Sequence, residues 1–232
     1  PANLKKIIKI AKRFKLKILE DCSQAFGAKY NNKFVGTFGD ISIFSLHPLK
    51  NLHAYGDAGI ICCKNKSLYE KIKKYKNHGL LNRNTCNGWG CNCRLDEMQA
   101  SLLNIIISKF NKFNKIKKDN AEYYNKNLSK ILTVPIVEKD RTHTYQTYTV
   151  IAKKRDKLKK FLFHKGIETL IYYPTPLHLQ PAAKKIKFNR NELRNSEFLA
   201  KTSLSLPCSH YLSKKEKDYI IQNIIKFYKN ES

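Results

Sequence analysis

The run FSLHPLKNLHAYGDAG, residues 44–59, decides how the rest of the chain is read. It sets Lys50 six residues beyond a strand-like stretch, Asp40 to Phe44, and shortly before a Gly-Asp turn. Many other lysines stand in polar runs such as KIKKD (residues 115–119), whereas Lys50 is boxed in by Pro48, Leu49, Asn51 and Leu52. That is the setting of an amine that must be held in one place. A lysine drawn partly out of water sheds its proton more readily, and the neutral amine can condense with an aldehyde or ketone to form a Schiff base.

Upstream lies ILEDCSQAFGAKY, residues 18–30. A short apolar strand containing Leu16, Ile18 and Leu19 runs into Glu20 and Asp21, so Asp21 falls at the carboxyl end of a strand, where open α/β sheets bind ligands. An aspartate in that position can pair with a protonated pyridine nitrogen. The segment ahead of the strand, PANLKKIIKIAKRFK, spaces Leu4, Ile7, Ile8, Ile10, Ala11 and Phe14 at helical intervals among lysines. Helix followed by strand is a unit of a parallel α/β sheet.

Asp21, Gln24, Ser45 and Lys50, together with GDAG (56–59) and NCRLDEMQA (92–100), give the chain a resemblance to the DegT/DnrJ/EryC1/StrS nucleotide-sugar aminotransferases. The resemblance runs from the first residues almost to the last. It implies an α/β type I pyridoxal-phosphate aminotransferase fold with a truncated large domain (1–118) and an α+β small domain (119–232). It further implies pyridoxal 5'-phosphate as cofactor, glutamate as amino donor, and a homodimer with shared active sites serving amino-sugar and surface-polysaccharide biosynthesis. Family members carry a long segment ahead of the point where this chain begins, including a Gly-Thr or Gly-Ser turn that helps hold the cofactor phosphate. The chain is therefore expected to be the carboxyl-terminal portion of such an enzyme, with unpaired strand edges and little activity by itself.

Carried over residue by residue, the resemblance makes Lys50 the cofactor-bearing lysine and Asp21 the partner of the ring nitrogen. Gln24 matches a residue near the ring, although as a bare sequence feature it is equally a polar turn residue. Ser45, five residues before Lys50, matches the phosphate-binding serine, and Asn92 matches an asparagine that reaches the phosphate in the neighbouring subunit. Arg94 is expected to anchor an ion pair within its loop and Trp89 to pack at an interface. His47, Leu49 and His53 depart from the aromatic and small residues common around this lysine.

The segment GIETLIYYPTPLHLQPAA, residues 166–183, bears on the substrate. It is most similar to the dTDP-3-amino-3,6-dideoxyhexose transaminases, which aminate carbon 3 of a dTDP-linked 3-keto-6-deoxyhexose. His178 is retained and Tyr172 stands where those enzymes usually have histidine; both are expected to contact substrate. Two alternatives remain open, a 4-keto sugar aminotransferase of the same family and a catalytically silent relative. The related sugar dehydratases replace the cofactor lysine with histidine, and position 50 is lysine.

Hydrophobic residues make up 42% of the chain, which belongs to a folded protein rather than a disordered one. No apolar run is long enough to cross a bilayer, and a cytoplasmic setting away from membranes is the default expectation. The formal net charge of +27 raises nucleic acid as a partner. Its lysines are spread along the whole chain beside abundant Asn, Ile and Tyr, a set that A- and T-rich codons produce, so no specific nucleic acid is expected. A basic surface in either case favours an anionic substrate. Cys86, Cys91 and Cys93 have C-x4-C-x-C spacing without the C-x2-C pairs of structural zinc sites, so free thiols and no metal are expected.

Farther along, AGIICCKN reads as a buried strand and Asp96 to about Leu128 as one long helix. TYTVIA, IETLIYY and LSLP read as strands, and RDKLKKFLFHKG, LRNSEFLAKTS and SKKEKDYIIQNIIKFY as helices, the last capped by Ser213.

Overall fold

The computed structural model describes residues 1–230. Its contacts divide the chain into two compact units, Pro1–Asn114 with Val137–Gln146, and Lys115–Ile136 with Thr147–Ser232. The division falls inside one helix, ahead of the boundary expected at Lys118, and the segment 137–146 returns to the first unit.

The first unit opens with helix α1 (Leu4–Arg13), whose start is capped by the Asn3 side chain accepting from the Lys6 amide at 3.1 Å. Leu4 from this helix is buried with Cys22, Ala28, Tyr30 and Val35. The chain then enters β1 (Leu19–Asp21), makes a hairpin from β2 (Lys29–Tyr30) and β3 (Lys33–Phe34), and continues into β4 (Ile41–Ser45) and β5 (Gly59–Cys63). Asn31 and Asn32 at the hairpin tip both have positive φ, 45° and 62°, the backbone a two-residue type I′ turn requires.

Strands β1 and β4 pair in parallel, with Asp21 opposite Ile43, whereas β4 and β5 pair antiparallel, with Ser45 opposite Gly59. The β1–β4 pair has the parallel pairing that the helix-to-strand opening suggested, and the antiparallel β5 makes the sheet mixed. The order β1-β4-β5 leaves β5 at an edge of the described sheet, and Ile61 there is 51% exposed. Its run of apolar residues is thus not the sign of a buried strand, because only β4 covers it within the sheet.

Strand β1 inverts the usual pattern. Leu19 and Asp21 are exposed, and the residue between them, Glu20, is buried. Its Oε1 accepts from the amides of Phe38 (2.8 Å) and Gly39 (2.7 Å), and Oε2 accepts from Gly36 (2.8 Å). The carboxylate ties the hairpin exit to the strand that ends at Asp21. Gly36 is required here: its φ is +85°, and a Cβ would lie 2.4 Å from the Phe44 ring.

After β5 come α2 (Lys66–Tyr75) and α3 (Glu97–Leu128). The first part of α3 supplies Leu103 and Phe110, which are buried with Leu46, Leu52 and Ala54 from the segment around Lys50. Phe26 stands edge-on to both Phe44 and Phe110, at 5.6 and 5.0 Å between ring centroids.

The second unit holds the end of α3, β6 (Tyr148–Ile151), α4 (Arg155–His164), α5 (Arg194–Thr202), β7 (Ser203–Leu206) and α6 (Lys214–Asn230). Strands β6 and β7 pair antiparallel, and Tyr124, Tyr148, Leu158, Leu162, Leu204 and Ile224 are fully buried. Helix α6 begins with a reciprocal cap: the Glu216 amide donates to Ser213 Oγ, and the Ser213 amide donates to Glu216 Oε2. The expected strand IETLIYY is not one. Its pairing among the described residues is the single bridge from Leu170 to Ser205.

Glu20→Gln exchanges a carboxylate that accepts three amides for a group with one acceptor oxygen and an NH2 turned toward a donor. We expect a loss of about 1.5–3 kcal/mol of stability, the range for hydrogen bonds to a charged group. A lowered urea midpoint at unchanged slope would show it.

Candidate functional site

Three of the residues singled out in the sequence meet at one end of the β1–β4 pair. Asp21 closes β1, Ser45 closes β4 on the parallel neighbour, and Lys50 follows in the loop from 46 to 58. That loop is closed by backbone bonds from the Leu46 amide to Ala58 O and from the Ala54 amide to Leu46 O. It is also anchored from below, since Leu46, Leu52 and Ala54 are in the core while Leu49 stays 74% exposed.

Asp21 is exposed, and its Oδ1 accepts from both the Ser23 hydroxyl (2.5 Å) and the Ser23 amide (3.0 Å). These two bonds, with a further contribution from the Lys50 charge, hold its carboxyl below the usual aspartate range. Both Ser23 bonds use the same oxygen, so Oδ2 is left to accept from another group.

Lys50 is half-buried, and its amide donates to His47 O at 2.8 Å. The flanking residues are clamped by a segment remote in sequence. The Asn51 amide donates to Gln146 Oε1 (2.9 Å), the Gln146 side chain donates back to Leu49 O (2.5 Å), and Asn51 Nδ2 donates to Thr144 O (2.8 Å). Gln146, Ser23 and Glu20 were all missed in the sequence. Ser23 could have been found as an acid-x-Ser pair at a strand end. Nothing local pointed to Gln146, because its partners lie 95 and 97 residues away.

Ser45 is half-buried, and its Oγ accepts from the His47 amide at 3.3 Å, which leaves the hydroxyl hydrogen available to a ligand. The Leu49 amide donates to His47 Nδ1 at 3.1 Å, so His47 belongs to the turn that carries Lys50. Gln24 lies on the turn just after Asp21 with an exposed side chain, while its carbonyl accepts from Thr144 Oγ1 at 3.4 Å.

Asn92 belongs to another loop. It is exposed, bridged through its backbone to Asn77 beyond α2, and its Oδ1 accepts from Arg94 Nε at 2.8 Å. Arg94 was expected to hold an ion pair; in the structure it orients Asn92 instead. Trp89 in this loop is 96% exposed. A Cβ on Gly79, whose φ is +74°, would sit 1.9 Å from Gly88 O, so the two strands of the loop meet only because glycine is there. Cys91 and Cys93 place their sulfurs 3.4 Å apart, and all seven cysteines are free. Among the described residues no cluster of His, Cys, Asp or Glu could hold a metal, and no helix is long and apolar enough to cross a membrane.

His178 and Tyr172 belong to the second unit, where they line a groove of about 710 Å³. His178 sits on a short turn of 3-10 helix, Leu177–Leu179, with Nε2 3.3 Å from Glu197 Oε1 and the Phe188 ring edge-on at 5.0 Å. Tyr172 is 43% exposed and meets Tyr173 edge-on at 5.6 Å.

A family model described as the DegT/DnrJ/EryC1/StrS aminotransferase family matches residues 1–225. The chain belongs to that family. A pleiotropic regulatory protein of Geobacillus stearothermophilus is 37% identical over 99% of the chain and 63% of its own length. A dTDP-3-amino-3,6-dideoxy-alpha-D-galactopyranose transaminase of Aneurinibacillus thermoaerophilus is 34% identical over 94% of the chain and 60% of its own length. The crystal structure of a DegT DnrJ EryC1 StrS aminotransferase from Brucella abortus superposes with a TM-score of 0.93 at 32% identity, covering 98% of this chain and 61% of that one. The fold is that of the sugar aminotransferases, and the chain spans about three-fifths of the length of these family members.

Two substitutions separate the roles of the supporting residues. Ser23→Ala removes the hydroxyl bond and should raise the Asp21 pKa toward the ordinary aspartate range, read by carbon NMR of the carboxyl. The sign follows from the shift: a lowered folded pKa contributes stability above the ordinary value, and this fades as pH falls through the folded pKa. Gln146→Ala unclamps the lysine loop, and amide exchange at Asn51 should quicken by about tenfold, the equivalent of one ordinary hydrogen bond.

Proposed function

We propose that this chain carries the lysine and the ring-nitrogen acid of a pyridoxal-phosphate-dependent aminotransferase acting on a nucleotide-linked keto sugar. The observation that carries the reading is the state of Asp21: ionised, facing outward at a strand end, with Oδ2 uncommitted and the Lys50 charge close enough to lower its pKa. Those are the properties needed to grip a protonated pyridine nitrogen on one side and present an amine on the other. The donor set fits pyridoxal 5'-phosphate: Asp21 for the ring nitrogen, Lys50 for the aldehyde carbon, and the Ser45 hydroxyl for a phosphate oxygen. Gln24 is assigned to the ring's surroundings and Asn92, oriented by Arg94, to a phosphate in a partner copy of the chain.

When bound, the cofactor supplies an aldehyde that takes up the amino group and a ring that accepts electron density from the carbon next to nitrogen. The rest is done by side chains. Lys50 Nζ would hold the cofactor's aldehyde carbon and, once free, would be the base that takes the proton from the α-carbon of the amino donor. Asp21 keeps the ring nitrogen protonated throughout, so the ring can hold the charge. Glutamate is assigned as amino donor and the keto sugar as acceptor, and His178 and Tyr172 are assigned to substrate. The similarity of residues 166–183 to enzymes of 3-amino sugars supports a dTDP-linked 3-keto-6-deoxyhexose. A homodimer outside any membrane is the assembly that goes with this reading.

A second reading, a regulator without turnover, is favoured by the name of the Geobacillus relative. Incubating the full-length protein with pyridoxal 5'-phosphate and then borohydride separates the two. We expect a pyridoxyl group on Lys50, located by peptide mass, and its loss, together with at least a thousandfold fall in turnover, in Lys50→Ala. Unlabelled Lys50 would support the regulator. A panel of dTDP- and UDP-linked 3-keto and 4-keto sugars, assayed with glutamate, then identifies the substrate.

A further inference from the structure

Behind His178, which lines the groove of the second unit, stands a carboxylate that the reaction above does not use. Glu197 lies in the first turn of α5, its side chain 25% exposed, and reaches His178, whose own side chain is only 11% exposed. An ionised carboxylate can only accept, so the imidazole nitrogen facing it, Nε2, must carry a hydrogen. In the neutral ring that leaves Nδ1 with a lone pair. The Phe188 ring packs edge-on against the imidazole and limits its rotation. Around it the groove is walled by Tyr172, Tyr173, Pro176 and Leu199, flat or apolar surfaces with few charges, and Ser196 comes from the same helix as Glu197.

We propose that Glu197 is a positioning residue that fixes His178 as the Nε2–H tautomer, so that Nδ1 accepts a hydrogen bond from a sugar hydroxyl. On this account His178 reads the hexose: in the neutral ring the fixed lone pair on Nδ1 selects a donor, which a sugar hydroxyl supplies. Specificity of this type is strong, because a sugar lacking the hydroxyl leaves the buried acceptor unpaired. The identity of the ligand rests on the sugar-aminotransferase reading; the geometry of the Glu197–His178 pair does not.

The test has two arms on the full-length protein. Nitrogen NMR of labelled His178 should show a protonated Nε2 and an unprotonated Nδ1 at neutral pH, and Glu197→Leu should lose that preference. In steady-state assays, Glu197→Leu should raise KM for the nucleotide sugar about tenfold, the worth of one hydrogen bond, with a much smaller effect on kcat. Glu197→Gln, whose amide oxygen can still accept from Nε2–H, should restore most of that loss. A wild-type spectrum showing hydrogen on Nδ1, or a KM unmoved by Glu197→Leu, overturns the proposal. If the protein takes up no pyridoxal phosphate, it is the aminotransferase reading that fails, and the nitrogen spectrum still decides the tautomer.

Discussion

The parallel pairing of β1 with β4 is the constraint on which the site depends. Asp21 opposes Ile43, so the end of β1 and the end of β4 leave the sheet on the same side, and Ser45 emerges two residues beyond Asp21's partner. An antiparallel pairing would send the two ends to opposite sides of the sheet. Everything else in the first unit preserves that arrangement. Glu20 binds three amides of the hairpin exit from the middle of β1, and Leu46, Leu52 and Ala54 sink the lysine loop into the core beside α3.

What could be read from the residues was whatever depends on near neighbours. The positions of Asp21, Ser45 and Lys50 follow from strand ends and short spacings, and so does the Ser213 cap, because each involves a few residues of local sequence. Family resemblance added an expected cofactor for the lysine, which spacing could not name. The misreadings have a common cause. AGIICCKN and IETLIYY both have the composition of buried strands, but composition reports only how well a segment would suit a ladder, not whether a partner is offered on each side. Among the described residues β5 is offered β4 alone, and the segment at Leu170 makes a single bridge to Ser205. Gln146 was invisible for the opposite reason: its importance comes entirely from contacts made across nearly a hundred residues.

Lys50 is set apart from the other lysines of the chain by the way its loop is held. Its neighbours in sequence are distinctive, but the restraint is applied to the backbone on either side of it, through Leu49 O, the Asn51 amide and the Asn51 side chain. The side chain itself is left half-buried and unclamped. The loop is fixed while the amine is left free, the combination that the role proposed for Lys50 requires.

The overall charge of +27 might be thought to dominate the electrostatics of such a site, but distance argues otherwise. At physiological salt, charges more than about 8–10 Å away through solvent are largely screened, so lysines scattered over the surface act weakly on an exposed carboxylate. The influences on Asp21 rank accordingly: the Ser23 hydroxyl first, the Ser23 amide next, and the Lys50 charge after burial, which acts the other way. The ionisation of this acid is set by two hydrogen bonds from a residue two positions along the chain.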